Sequence, residues 1–208
     1  MKKNIIEEGM DIVFLLDRSG SMAGIESDTI GGYNSYINDF KDKNVRVTTI
    51  LFDGRYESLY KRTPISEVDE LTNKEYFVRG STALLDAIGR TIKYLDKEEA
   101  KKVMFVITTD GYENSSRRYN TKQIKEMILG HKDWEFIYVG ADIDSFEEGG
   151  NIGIKKSNIA NYKKDKRGVS KLFNSIKNDC CAYYCGEELD ESWKEELEEY
   201  IDDNKEIF

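Results

Sequence analysis

Aspartate, serine and threonine side chains recur at three separated points of this sequence, and their types suit the binding of a divalent cation. They are Asp17, Ser19 and Ser21, then Thr82, then Asp110. Together they offer two carboxylates and three hydroxyls, without sulfur or imidazole. A hard oxygen set of mixed charge suits Mg²⁺ or Mn²⁺ better than zinc. Two carboxylates would leave the ion electrophilic, with a coordination position open to a carboxylate from another molecule.

The spacing of apolar residues predicts the strands and helices that would position these side chains. Apolar runs predict strands at 11–17, 45–53, 56–62, 102–109 and 134–140, with a small edge strand around 157–161. Helical periodicity predicts helices at 28–41, 82–96, 120–130, near 144–149 and around 169–176. The fold class is therefore α/β, with a doubly wound, mostly parallel central sheet, one antiparallel edge strand (56–62) and helices on both faces.

The predicted topology brings the three stretches to one edge of the sheet. In an open parallel sheet, ligands bind in the crevice beyond the carboxyl ends of the strands, where strand order reverses. The first strand ends at Asp17, and Asp110 directly follows the strand 102–109. Thr82 lies in a Gly-Ser-Thr loop that enters the clearest helix. We therefore expect their oxygens to converge.

These positions resemble the metal-ion-dependent adhesion site (MIDAS) of von Willebrand factor A (VWA) domains. All five family positions occur in the family's order: Asp17, Ser19, Ser21, Thr82 and Asp110. The resemblance implies that the first four bind Mg²⁺ (or Mn²⁺) directly or through water, and that Asp110 acts through water. It also implies a partner protein whose Asp or Glu completes the coordination. The implied function is a metal-dependent protein-binding module that is not an enzyme.

The resemblance covers about residues 8–165, with an upper limit at 181. The segments DRSGSM, FVRGSTALLDAI and VITTDGYEN are similar to stand-alone bacterial VWA proteins, some of them linked with tellurium resistance and stress. We predict a VWA domain over 1–181, with an acidic helical extension of the same domain over 182–208. In that tail, Trp193, Leu197 and Ile201 have helical spacing among many acids, which we interpret as a solvated helix face.

Five residues around the predicted ligands are candidates for supporting the site or contacting a partner: Arg18, Gly20, Gly111, Asp86 and Tyr112. Arg18 would either steer an acidic partner or be an ordinary solvated side chain. Asp86 would either orient a water or hydroxyl at the site or occupy an ordinary helix position. Tyr112 follows Asp110 on the same rim and would either contact a partner or be an ordinary loop residue.

Other interpretations of the same residues stay open. Ser19-Gly20-Ser21 alone could simply cap a helix. A Mg²⁺-dependent phosphoryl-transfer hydrolase could use Asp17 as its nucleophile. Such an enzyme would need a carboxylate two residues later as acid/base, and Ser19 stands there. His131 is predicted at the opposite edge of the sheet and is discounted as catalytic. A third possibility is a scaffold that carries the site but uses another face.

Composition limits the partners. The formal net charge is −9, so we expect no nucleic-acid partner. The longest apolar runs are far shorter than the roughly 20 residues that span a membrane, and residues 1–11 have no signal-peptide pattern. Cys180, Cys181 and Cys185 are crowded and odd in number, which favours free thiols over disulfides or zinc. We therefore expect a cytoplasmic protein with no membrane partner.

Overall fold

The computed structural model describes residues 9–187 and 190–203, in which a six-stranded sheet lies between two layers of helices. The strands are β1 (Met10–Asp17), β2 (Val45–Phe52), β3 (Tyr56–Pro64), β4 (Val103–Thr109), β5 (Trp134–Gly140) and β6 (Ile159–Asn161). The α-helices are α1 (Glu26–Asp39), α2 (Leu84–Lys97), α3 (Thr121–Gly130), α4 (Ser145–Asn151), α5 (Lys166–Cys185) and α6 (Glu195–Asp202).

The strand order β3-β2-β1-β4-β5-β6 puts a reversal of direction at the centre of the sheet. From β1 the chain moves outward through β2 to the antiparallel edge strand β3, then returns to β4 on the other side of β1. The strands β1, β2, β4, β5 and β6 are parallel. The predicted fold class is confirmed, and the crevice between the carboxyl ends of β1 and β4 is the switch point.

The central strand is apolar from Ile12 to Leu16 because both of its faces are buried. Phe14 and Leu16 pack in the core covered by α1, α5 and α6. Val13 and Leu15 pack in the core covered by α2, α3 and α4. Adjacent strand residues point to opposite faces, so a strand covered on both sides has apolar residues on both faces. The apolar run of β1 ends at Asp17, whereas Asp11, near the start of the strand, pairs with Arg46 and Arg62.

The start of α2 differs from its predicted position in a way that matters for the site. The helix begins at Leu84 rather than at residue 82. The Ala83 N–H donates to the Asp53 carbonyl at 2.9 Å, which holds the preceding residues as an extended loop. Thr82 therefore lies before the helix, where its hydroxyl is free to point toward the crevice.

The acidic tail packs on the domain as far as it is described. The 3₁₀ turn Glu191–Lys194 is followed directly by α6. Residues 188–189 and 204–208 of the predicted tail helix lie outside the described residues, and so do residues 1–8 at the start of the chain. Trp193 and Leu197 are buried in the α1/α5 core, and Trp193 Nε1 donates to the Ser157 carbonyl at 2.9 Å. The domain boundary at residue 181 stays a prediction; α5 runs through it.

The helix α5 carries the cysteines. All three are free thiols, with Cys180 buried and Cys181 and Cys185 exposed. Over residues 9–187 and 190–203, no helix, α5 included, has the length and apolar character needed to cross a membrane.

If the tail is part of the folded domain, Trp193→Ala should destabilise the whole protein. We expect a loss of about 3 kcal/mol in the free energy of unfolding, from a cavity and an unpaired Ser157 carbonyl. Urea unfolding measures it, with the exposed Glu191→Ala in the same turn as control, expected within about 0.5 kcal/mol of wild type. Equal stabilities of the two variants would contradict the packing of the tail.

Candidate metal centre

Three loops meet at the carboxyl ends of β1 and β4. The Gly20 N–H donates to the Gly80 carbonyl at 3.2 Å, which joins the first loop to the second. The N–H groups of Asn114 and Ser115 donate to the Thr82 carbonyl at 3.0 and 3.2 Å, which joins the second loop to the third. The structure thus brings together all three stretches that the sequence singled out.

The hydroxyls converge on the space beside Gly111. A Cβ built on Gly111 would lie 2.8 Å from Thr82 Oγ1, 3.1 Å from Ser21 Oγ and 3.5 Å from Ser19 Oγ. The two serine hydroxyls are hydrogen-bonded to each other at 2.9 Å. Hydroxyls from two separate loops therefore surround one small volume, which glycine keeps open by having no side chain.

Asp17 lies fully buried at the end of β1, held from two sides. Its Oδ1 accepts from the Ser19 N–H at 2.7 Å, and its Oδ2 accepts from Thr109 Oγ1 at 2.5 Å. The backbone carbonyl of Asp17 accepts from Tyr76 Oη at 2.6 Å. Burial raises the pKa of Asp17 from 3.8 to about 6, and the hydrogen bonds from Thr109 and Ser19 only partly offset this.

Asp110 supplies the second carboxylate, and it is also buried. Its Oδ1 accepts no hydrogen bond within the described part of the chain. Its charge is instead balanced by Lys164 Nζ, 2.8 Å from Oδ2. Lys164 comes from the loop between β6 and α5, and no motif in the sequence indicated it.

The donor set fits a hard divalent cation. Carboxylate and hydroxyl oxygens without sulfur or imidazole are what Mg²⁺ and Mn²⁺ prefer. Asp110, whose Oδ1 has no hydrogen-bond donor among the described residues, lines the same cavity as the hydroxyl cradle formed by Ser19, Ser21 and Thr82. That cavity, about 370 Å³ in volume, would also admit a side chain from another molecule.

Arg18 corrects an expectation. Both alternatives considered for it, a surface charge that steers a partner and a solvated side chain, are wrong because Arg18 is fully buried. Its Nε donates to Asp53 Oδ2 at 3.1 Å, and its other nitrogens donate to Glu57 Oε2 at 2.5 Å and to the Glu75 carbonyl at 3.0 Å. Arg18 therefore ties β1 to β2, β3 and the following loop, below the site.

Asp86 supports the site through a loop rather than at the ligands. Its carboxylate accepts the N–H groups of Arg117, Arg118 and Tyr119 at 3.1, 2.8 and 3.1 Å. These residues belong to the loop that carries Asp110, so Asp86 fixes that loop against α2.

Glu113 and Asn114 reinforce the same junction. Glu113 accepts from the N–H of Leu85 at 2.9 Å and from those of Ser115 and Ser116 at 2.8 and 2.7 Å. Asn114 Oδ1 accepts the Thr82 N–H at 2.9 Å, so the two loops are also held together by side chains.

The rim is formed by residues that leave the site accessible. Tyr112 is 54% exposed and lines the cavity, as does Gly20. Asp142 lines it too, with a left-handed φ of 55° after β5. The sequence indicated neither Asp142 nor Thr109 as a residue of the site, although Thr109 immediately precedes Asp110.

His131 lies at the opposite edge of the sheet, as predicted. It stands at the end of α3, before β5, and contacts Asp96 and the Met127 carbonyl.

A doubly wound sheet with an oxygen-lined crevice at its switch point defines the class of domain, and comparison gives the family. A sequence model of the von Willebrand factor type A domain matches residues 11–175. The chain belongs to the VWA family. No curated protein sequence matches it. Its assignment to the stand-alone bacterial type stays a prediction.

Solved structures of similar fold come from distant proteins. The PilB minor pilin of Streptococcus sanguinis superposes with a TM-score of 0.62 at 12% identity, covering 83% of this chain and 61% of that one. VWA2, an ArnB paralogue of Sulfolobus acidocaldarius, gives 0.59 at 19% identity, covering 82% and 44%. Proximal thread matrix protein 1 of the mussel byssus, with a zinc-occupied MIDAS motif, gives 0.56 at 16% identity, covering 83% and 46%. This chain thus spans 44–61% of their lengths, and the similarity shows the fold.

The raised pKa of Asp17 predicts a pH dependence of the metal-free protein. Because the folded state holds the Asp17 proton more tightly than the unfolded state, ionisation of this group disfavours folding. The penalty is absent below about pH 4, grows up to about pH 6, and reaches about 3 kcal/mol above it. Asp17→Asn removes it. The variant should therefore gain about 3 kcal/mol over wild type between pH 4 and pH 7, by urea unfolding without metal.

Asp179 provides the internal check on this experiment. Burial raises its pKa to about 7, and it titrates in both proteins, so the difference between them isolates Asp17. If the free energies of unfolding of wild type and Asp17→Asn change with pH in parallel, ionisation of the Asp17 carboxylate does not disfavour folding.

Proposed function

We propose that this chain is a protein-binding module whose site holds Mg²⁺, with Mn²⁺ able to replace it. VWA domains are protein-interaction modules, and a MIDAS motif binds a divalent metal in one related structure. The observation that carries the proposal is the convergence of the Thr82, Ser21 and Ser19 hydroxyls on the space beside Gly111. The zinc in the related structure does not set the metal here, because oxygen donors alone favour Mg²⁺.

The residues of the site would hold the ion in different ways. Asp17 would neutralise part of the ion's charge, while Ser19, Ser21 and Thr82 add neutral oxygens. Asp110 would act from the opposite loop, through water. A bound Mg²⁺ supplies a positive charge with an open coordination position, where we propose that an Asp or Glu of a partner protein binds.

The rim would complete the interface. Exposed Tyr112 and the backbone at Gly20 and Gly111 surround the cavity through which a partner's carboxylate would reach the ion. Because a desolvated charge contact dominates a small interface, affinity would depend on this contact more than on buried area.

The geometry favours binding over catalysis. As a nucleophile, Asp17 would need an exposed carboxylate oxygen in line with a phosphorus atom. It is fully buried, and both of its oxygens already accept hydrogen bonds, from Ser19 and Thr109. We therefore propose that the chain is not an enzyme. Its free thiols support a reducing compartment, and we propose the cytoplasm.

Filling the hydroxyl cradle should weaken metal binding. In Gly111→Ala the new methyl group would lie 2.8 Å from Thr82 Oγ1, inside the space where the ligands converge. We expect calorimetric titration of wild type with Mg²⁺ and Mn²⁺ to give a 1:1 isotherm, and Gly111→Ala to lose at least about tenfold in affinity. Gly31→Ala is the matched control, since no described residue outside the adjoining helix backbone lies within 4 Å of its Cβ position. Undiminished affinity in Gly111→Ala would place the metal elsewhere, and a flat wild-type titration would refute the site.

Partner binding should require both the metal and Asp17. Immobilised wild type and Asp17→Ala would each be exposed to lysate in Mg²⁺ or in EDTA. We expect capture only by wild type with Mg²⁺, and release when EDTA is added. Equal capture in EDTA would support the scaffold interpretation. Metal-dependent hydrolysis of a generic phosphate ester that Asp17→Ala removes would instead support the hydrolase.

A further inference from the structure

Lys164 places a positive charge inside the candidate metal centre. Its Nζ lies 2.8 Å from Asp110 Oδ2 and also donates to the Ser21 carbonyl. One ammonium group thus contacts two of the five proposed metal-site residues, one in each of the loops that follow β4 and β1. The side chain is 21% exposed, so water screens the ion pair only in part.

The backbone that carries Lys164 is fixed. The Tyr162 N–H donates to the Gly140 carbonyl at 2.9 Å, which anchors the start of the loop on β5. Asp165 caps α5 by accepting the Gly168 N–H at 2.8 Å. A Cβ on Gly168 would overlap the Lys163 carbonyl, so the loop rests directly on the first turn of the helix. The backbone at Lys164 is therefore held in place, while its partly exposed four-carbon side chain can move the ammonium outward.

From these contacts we infer that Lys164 is a tethered cation that competes with the divalent ion for Asp110; this inference rests on the proposed function. Without metal, the ammonium balances the charge of a buried carboxylate whose Oδ1 accepts no hydrogen bond from the residues that the structure describes. A divalent ion bound beside Asp110 is repelled by that ammonium, or must displace it. Lys164 thus lowers the metal affinity and stabilises the metal-free state, and it sets the metal concentration at which the site fills.

The competing explanation is that Lys164 only holds the loops together. Both roles predict that removing the ammonium destabilises the metal-free protein, because Asp110 is left buried without its counter-ion. Only the competitive role predicts that the same change strengthens metal binding. Metal affinity, rather than stability, therefore separates the two.

The test compares Mn²⁺ binding by wild type, Lys164→Met and Lys163→Met, followed by calorimetry and by the EPR signal of free Mn²⁺. Methionine keeps the length of the stem and removes the charge. Lys163 is the matched control, because its Nζ pairs with Asp165 at 3.6 Å and its loss changes the net charge equally. We expect the Kd of Lys164→Met to fall about tenfold or more, and that of Lys163→Met to stay within about twofold.

Further variants make the result specific. If Lys164→Met folds poorly, Lys164→Gln serves the same purpose. In an Asp110→Asn background the lysine loses its carboxylate, so Lys164→Met should change the Kd far less than it does in wild type. An unchanged or raised Kd in Lys164→Met, with wild type binding Mn²⁺ normally, overturns the competitive role and leaves the proposed function standing. Absence of Mn²⁺ binding in both proteins overturns both, whereas binding by Lys164→Met alone shows that the lysine blocks the site.

Discussion

The burial of one carboxylate at the end of the central strand is the constraint on which the rest of the site depends. Asp17 ends β1 directly after the apolar run Ile12–Leu16 and is itself fully buried, so its charge must be balanced from within the fold. Hydrogen bonds from Ser19 and Thr109 do so only in part, since its pKa stays raised to about 6. A buried anion that the protein's own hydrogen bonds stabilise only in part will attract a cation strongly.

The ligand geometry is held by the protein's own hydrogen bonds. Glu113 and Asn114 join the loop after β4 to the start of α2 and to Thr82, while Asp86 secures the far end of that loop. Gly20 joins the first loop to the second through the Gly80 carbonyl. A site assembled by such contacts does not have to order its loops when the ion binds, which preserves affinity.

The sequence predicts the parts of this structure that rest on repeated local rules. Strands buried on both faces need continuous apolar runs, so β1, β2, β4 and β5 could be located and the switch point followed from their order. Contacts that depend on long side chains from distant segments could not be predicted. Arg18 is buried with partners from distant segments: Asp53, directly after β2, and Glu57 in β3. Lys164 follows a short strand, and no periodicity indicates where its stem points.

The charge around the site shows why a metal would be needed to recruit an acidic partner. The chain carries a formal charge of −9; Asp110 and Asp142 line the crevice, and Asp17 is buried at the end of β1, where it accepts the Ser19 N–H. A partner's carboxylate would therefore be repelled within the screening length of about 8 Å. Lys164 offsets one of these charges, whereas a divalent ion offsets two and also offers an open coordination position. In the proposed function the metal thus makes a repulsive crevice attractive, and recognition of an acidic side chain becomes conditional on metal occupancy.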